Sequence, residues 1–175
     1  TDAVRSSMFL GLAEWAAARV TPEDMDNARA WKPHPLVPVE DAEELRGSLP
    51  MLRDLARPEG SIKLMGLATK HAPEVLLARL EKIGASLRAR GEWVFWNMVA
   101  IDDYDSGVNV GVMTLQGAFF RPNLLFARVH AGDEEDARLV SVIRTASDTR
   151  VGVVLLSLHP TAGLGEMRDI RLWVR

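Results

Sequence analysis

Trp31-Lys32-Pro33-His34-Pro35-Leu36-Val37 and Phe120-Arg121-Pro122-Asn123-Leu124-Leu125-Phe126 are the two stretches that decide the fold. Each sets an aromatic residue, a cation and a proline ahead of an apolar run. Proline fixes φ and cannot continue a helix, so each stretch reads as a breaker that delivers the backbone into a buried strand. Working outward from them, helical and strand-like segments alternate, the pattern that builds a mostly parallel sheet with helices on both faces. By analogy with doubly wound folds, the two stretches fall on neighbouring strands at the middle of the sheet.

The first stretch leads a strand over residues 34–39, followed by an acidic loop at 40–47. Pro38 is awkward there, because an interior strand position needs a donor that proline lacks; the strand must end at Pro38, bulge there or lie at an edge. Ser48 is expected to cap a helix to Arg57, and a second strand spans 61–67. Pro73 starts a long helix to Arg90, with Val75, Leu76, Leu80, Ile83 and Leu87 at helical spacing and Gly91 closing it. A third strand spans 93–100, and Asp105 is expected to cap a helix over 106–118. The second stretch leads a fourth strand at 123–129, Asp133 opens a helix to Ala146, a fifth strand spans 151–158, and a sixth begins at 170–174.

Upstream, residues 3–19 read as a helix. Between Met8 and Val20 only Gly11, Glu14 and Arg19 are not apolar, more than one apolar stripe can hold, so this helix is expected to pack on two surfaces. Residues 1–30 form a linking region and 31–175 the sheet core of a single α/β domain. A start at Thr1 and a stop at Arg175 inside an apolar run suggest a piece of something longer.

At 175 residues the chain can bury roughly two-thirds of its unfolded surface without staples. It has no cysteine, which removes disulfides and thiolate chemistry together. A net charge of −3 lacks the basic excess that draws phosphate backbones, so nucleic acid is not an expected partner. The apolar run Val153-Val154-Leu155-Leu156, even extended by Val151 and Leu158, falls far short of the ~20 residues of a membrane-spanning helix.

Motifs of catalysis and nucleotide binding are missing: no G-x-x-x-x-G-K-[ST], G-x-G-x-x-G, G-x-S-x-G or H-E-x-x-H occurs. His34, His71, His130 and His159 are scattered and read as solvated or edge residues. Acidic clusters at Glu40-Asp41-Ala42-Glu43-Glu44, Asp102-Asp103-Tyr104-Asp105 and Asp133-Glu134-Glu135-Asp136 follow three strands. Carboxylates in such places can hold magnesium, but each cluster precedes a helix, where carboxylates cap free amides and complement the helix dipole. No lysine stands beside them in the pattern of a phosphoryl site. Gly107, Gly111 and Gly117 match no nucleotide fingerprint; Gly107 and Gly111, four apart, let a helix lie close to the sheet or to another subunit. Trp15, Trp31, Trp93, Trp96 and Trp173 are expected in the core rather than on a binding platform, although Trp93 and Trp96 fall on opposite faces of one strand. No catalytic, cofactor-binding or metal-binding residue is assigned, and no cofactor.

Three runs taken in order carry a family resemblance: Met8-Phe9-Leu10-Gly11-Leu12-Ala13-Glu14-Trp15, then Asn27 through Val37, then Ser61-Ile62-Lys63-Leu64-Met65-Gly66. Together with Phe120 to Phe126, Val151-Gly152-Val153-Val154-Leu155 and Asp169-Ile170-Arg171-Leu172-Trp173, they resemble the first lobe of the cytosolic carboxy-terminal region of cation-chloride cotransporters. Short connections at 67–73 and 160–168 suit a prokaryotic relative, whose kin include proteins labelled amino-acid permeases. The resemblance implies a non-catalytic regulatory domain with a fold like that of universal stress proteins. Such a domain lies on the cytoplasmic side of the cell membrane, dimerises, and couples to its own transmembrane part, which moves sodium, potassium, chloride or a related solute. The alternative from another class is a nucleotide sensor of universal stress protein type, with ATP at the carboxyl ends of the strands. A hydrolase using Asp102, Asp103 or His130 is the third reading, and it lacks any nucleophile, base and orienting group at a recognised spacing.

Overall fold

A computed structural model describes residues 14, 32–101, 103–118, 120–129, 133–159 and 163–164. The chain divides into two units, Thr1–Lys32 and Pro33–Arg175. Of the first, Glu14 and Lys32 are described, and Glu14 is helical. The expected helix at 3–19, the residues Trp15, Trp31, Asp102, His130 and Trp173, and the strand at 170–174 lie outside the described residues.

The second unit is a five-stranded parallel sheet in the order β3-β2-β1-β4-β5, with β1 Pro35–Val39, β2 Ile62–Leu67, β3 Val94–Val99, β4 Leu124–Arg128 and β5 Gly152–Leu156. The two proline-led strands, β1 and β4, are neighbours at its middle, as the analogy with doubly wound folds predicts. Four helices connect the strands: α1 Leu49–Ala56, α2 Pro73–Arg88, α3 Tyr104–Thr114 and α4 Asp133–Asp148. One face of the sheet buries Val37, Val39, Ile62, Leu64, Val94 and Phe126 beneath α1 and α2. The other buries Leu36, Met65, Leu67, Leu125 and Ala127 beneath α3 and α4, through Val108, Val112, Val142 and Ala146. Successive strands run outward from β1 to one edge, then from β4 to the other, a doubly wound fold.

Pro38 sits inside the central strand, and the ladder shows how. β1 pairs with β2 from Leu36 to Val39, but with β4 only at Pro35–Leu124 and Leu36–Leu125. Pro33 O accepts from Ser61 N on the β2 side and His34 O from Asn123 N on the β4 side. Backbone groups alternate sides along a strand, so Pro38 faces β4 as His34 does, and the donor it lacks falls on that side. The β1–β4 ladder stops where that donor would be needed.

Local chemistry corrects two caps. Asp103, not Asp105, caps α3, its Oδ1 accepting from Ser106 N at 2.8 Å. That places Ser106 at the third helical position, the donor an aspartate cap reaches, while Asp105 stands inside the first turn. Ser48 precedes α1 but makes no capping bond; its Oγ is buried without a hydrogen-bond partner among the described residues. The acidic loop at 40–47 contains a single 3-10 turn, Ala42–Leu45, capped by Asp41, which accepts from Glu43 N at 3.0 Å. Gly107 and Gly111 are buried against the sheet: a Cβ on either would press into Leu67 or Met65. Gly117 has open space around it.

Candidate functional site

Where the chain reverses direction across the sheet, between the carboxyl ends of β1 and β4, open α/β folds form their ligand crevice. Here the curtailed β1–β4 ladder leaves a cleft of about 60 Å3. Pro38 and Val39 line one side, Phe126 and Arg128 the other, with Tyr104 and Arg138 over the top.

Glu40 is its buried anion. Thr69 Oγ1 donates to Glu40 Oε1, while Lys70 Nζ stands 3.0 Å and Arg138 Nη1 3.1 Å from Oε2. Burial pushes the carboxyl upward, but the Thr69 hydroxyl and the Lys70 and Arg138 charges outweigh it and hold the group below its ordinary range. Arg138 also lies 5.3 Å from the Tyr104 ring, tying α4 to α3. Beyond Glu40 an open hollow of about 280 Å3 is rimmed by Asp103 and Asp105. Burial and the neighbouring Asp103 charge raise Asp105 above the usual aspartate range. Arg128 donates to the Glu44 carbonyl through Nη1, and its Nε is buried with no partner among the described residues.

A second polar cluster lies at the amino ends of β2 and β3, on the face covered by α3. Lys63 is only 7% exposed, 5.5 Å from the Phe95 ring and 5.8 Å from Phe120. Burial alone lowers its ammonium to about 8. An ammonium can only donate, so Ser61 Oγ, at 3.4 Å, accepts from Lys63, and it shares a 2.8 Å hydrogen bond with His34 Nδ1 whose direction follows the imidazole tautomer. Lysine, serine and histidine in line are the parts of an activated hydroxyl. Ser61 is fully buried, so no substrate reaches it.

The acidic clusters divide. Asp41 and Asp103 cap turns, as their position before helices suggests, and among the described residues no group of three or more His, Asp or Glu is arranged for a metal. Glu40 does not cap. No lysine stands beside these clusters in the sequence pattern of a phosphoryl site, yet Lys70 arrives from the loop after β2 and Arg138 from α4, 30 and 98 residues away from Glu40 in sequence. Such separations leave no local signal. Of the histidines, His34 joins the Ser61 cluster, His71 Nε2 lies 3.6 Å from Asp41, and the His159 backbone pairs with Gly163.

A model of the family described as the prokaryotic cation-chloride cotransporter C-terminal domain, first part, matches residues 37–164. Among solved structures, the cytoplasmic domain of a prokaryotic cation chloride cotransporter shares 41% identity over 77% of this chain, with a TM-score of 0.68. This chain spans 49% of that structure's length. No curated protein matches.

Proposed function

The chain belongs to the prokaryotic cation-chloride cotransporter C-terminal domain family, and from that premise we propose that it is the cytoplasmic regulatory and dimerisation domain of a secondary transporter. The membrane part of that transporter would move cations with chloride or a related solute. The domain's task is then to bind other protein surfaces and bias transport, without chemistry of its own.

One observation carries this reading. The helix layer formed by α3 and α4 keeps large apolar side chains in solvent: Met113 is 61% exposed and Val140 55%, with Val110 and Ile143 beside them in sequence on the same helices. Isolated exposed apolar residues are common, but two adjacent helices each carrying a pair suit a docking surface. No helix among the described residues is long and apolar enough to cross a membrane.

The test reads both halves of the proposal. Met113→Lys with Val140→Lys should convert a dimer of the isolated domain to monomer in light scattering, and the same pair in the full transporter should change solute flux in reconstituted vesicles. A native domain that stays monomeric at high concentration, with flux indifferent to the substitutions, would overturn it.

A further inference from the structure

We infer that the outer edge of β3 pairs antiparallel with the β3 edge of a second copy, with Asn97 on the two-fold axis, so that two five-stranded sheets join edge to edge. This rests on the dimerisation reading and names the surfaces that meet. Ile62 pairs with Val94, and its N donates to Trp93 O. Backbone groups alternate sides, so Phe95 and Asn97 turn theirs toward β2, while Val94, Trp96 and Met98 turn theirs to the outer edge of the sheet. Among the described residues no strand lies beyond β3.

That edge lacks the usual guards. Residues Trp93 through Ile101 contain no charge and no proline, the devices by which natural edge strands discourage pairing. They expose aromatic surface instead: Trp93 is 60% and Phe95 40% exposed, both against the Phe120 ring. Aromatic residues with few charges are the composition of interface cores. The opposite edge strand, β5, exposes Leu155 alone among its large apolar side chains.

Arg88 sets the register. Its Nε donates to Val94 O at 2.8 Å, which takes up that outward carbonyl. In an antiparallel pair, outward residues face outward residues. Placing Trp96 opposite its own copy would bring Met98 opposite Val94 and call on the carbonyl that Arg88 holds. Placing Trp96 opposite Met98 uses the remaining groups, and the two symmetric pairs exchange about four hydrogen bonds. Asn97, which is exposed, then meets its own copy on the axis, where one side-chain amide donates and the other accepts. Phe95 falls opposite Val99, apolar against apolar. An edge that matches itself in this way selects a second copy over a foreign strand. Val110 and Met113 belong to α3, which covers the same face of the sheet as Phe95, so the pairing carries both copies of α3 to one side of the joined sheet and makes helix surface and strand edge continuous.

The chain has no cysteine, so a single introduced thiol reports the contact. Across an antiparallel pair, Cα atoms at a position like that of Asn97 stand about 4.5 Å apart, inside the roughly 4.4–6.8 Å that a disulfide spans. Asn97→Cys in the 175-residue chain should therefore form a covalent dimer under mild oxidation. Phe95→Cys should not, because its two copies lie roughly 13 Å apart along the strands. Asn97→Lys and Asn97→Asp should each weaken the dimer about tenfold or more in light scattering, since like charges meet on the axis, and mixing the two variants should restore it. A dimeric native chain in which Asn97→Cys fails to cross-link, Phe95→Cys cross-links equally fast, or Leu155→Cys cross-links in its place would overturn this pairing and leave the dimerisation reading standing. A native chain that is monomeric at high concentration would remove both.

Discussion

The six-membered ring of Trp96 occupies the space that a side chain on Gly84 would need: Cε3 and Cζ3 stand where its Cβ would go. One turn on, the Arg88 guanidinium lies 4.2 Å from the Trp96 ring, and Arg88 Nε donates to Val94 O at 2.8 Å. Helix α2 thus grips the edge strand β3 between a missing side chain and a stacked cation. The glycine is there for proximity.

Gly84→Ala tests this grip. Helix propensity alone would add about 1 kcal/mol of stability. A rigid indole pinned by Arg88 cannot slide aside as a methionine could, so overpacking should dominate and the variant should lose about 1–3 kcal/mol in chemical denaturation. A gain in stability would show that Trp96 moves freely.

Lys63→Met should stabilise the fold by about 1–3 kcal/mol, since it removes a buried charge that has no carboxylate beside it among the described residues and keeps the side chain's length. The pH dependence has a definite sign. Folding lowers the ammonium from 10.5 to about 8, so between those values the unfolded chain holds a proton the native state has released. Native stability therefore rises with pH across that window, and below about 8 the cost of the charge is present in full. Subtracting the Lys63→Met stability curve from the native one should isolate that rise; a flat difference would refute it.

Glu40→Gln removes the anion that joins the loop after β2 to α4. Lys70 and Arg138 are partly exposed and can turn to water, which limits the loss to about 1–3 kcal/mol. Glu40 sits below its ordinary pKa in the folded state, so its contribution is complete above about 4.5 and disappears as pH falls through the folded value. Acid unfolding of Glu40→Gln should accordingly be shallower than that of the native protein.

Glu92 is buried, accepting from Arg57 Nη2 at 2.8 Å and from Arg53 Nε at 3.3 Å. These bonds fasten α1 to the lead-in of β3. Glu92→Ala should cost about 2–4 kcal/mol and speed amide exchange in α1 before the rest of the sheet. Uniform exchange across all elements would argue against a local fastening.

The strands, though not their order, were legible because their cues are local; the adjacency of β1 and β4 followed only from analogy with doubly wound folds. Prolines at 33, 35 and 122, the apolar runs behind them, and Pro73 at a helix start all act within a few residues. The shift of the α3 cap from Asp105 to Asp103 is a small miss, since either aspartate satisfies the pattern and only backbone geometry at residue 103 decides. The cleft was not legible. Glu40 reads as one more acidic residue ahead of a turn until the fold carries Lys70 and Arg138 to it. Lys63 likewise looks like an ordinary strand lysine, because nothing in Ser61-Ile62-Lys63-Leu64 reveals that β2 is covered on both faces.

Two residue pairs join β1 to β4, against six between β2 and β3 and five between β4 and β5. A pulling force or a denaturant therefore meets a tear line down the middle of the molecule, and the three-stranded slab should part from the two-stranded flap while each still keeps its own ladder. By withholding a single amide proton, Pro38 decides where this protein comes apart.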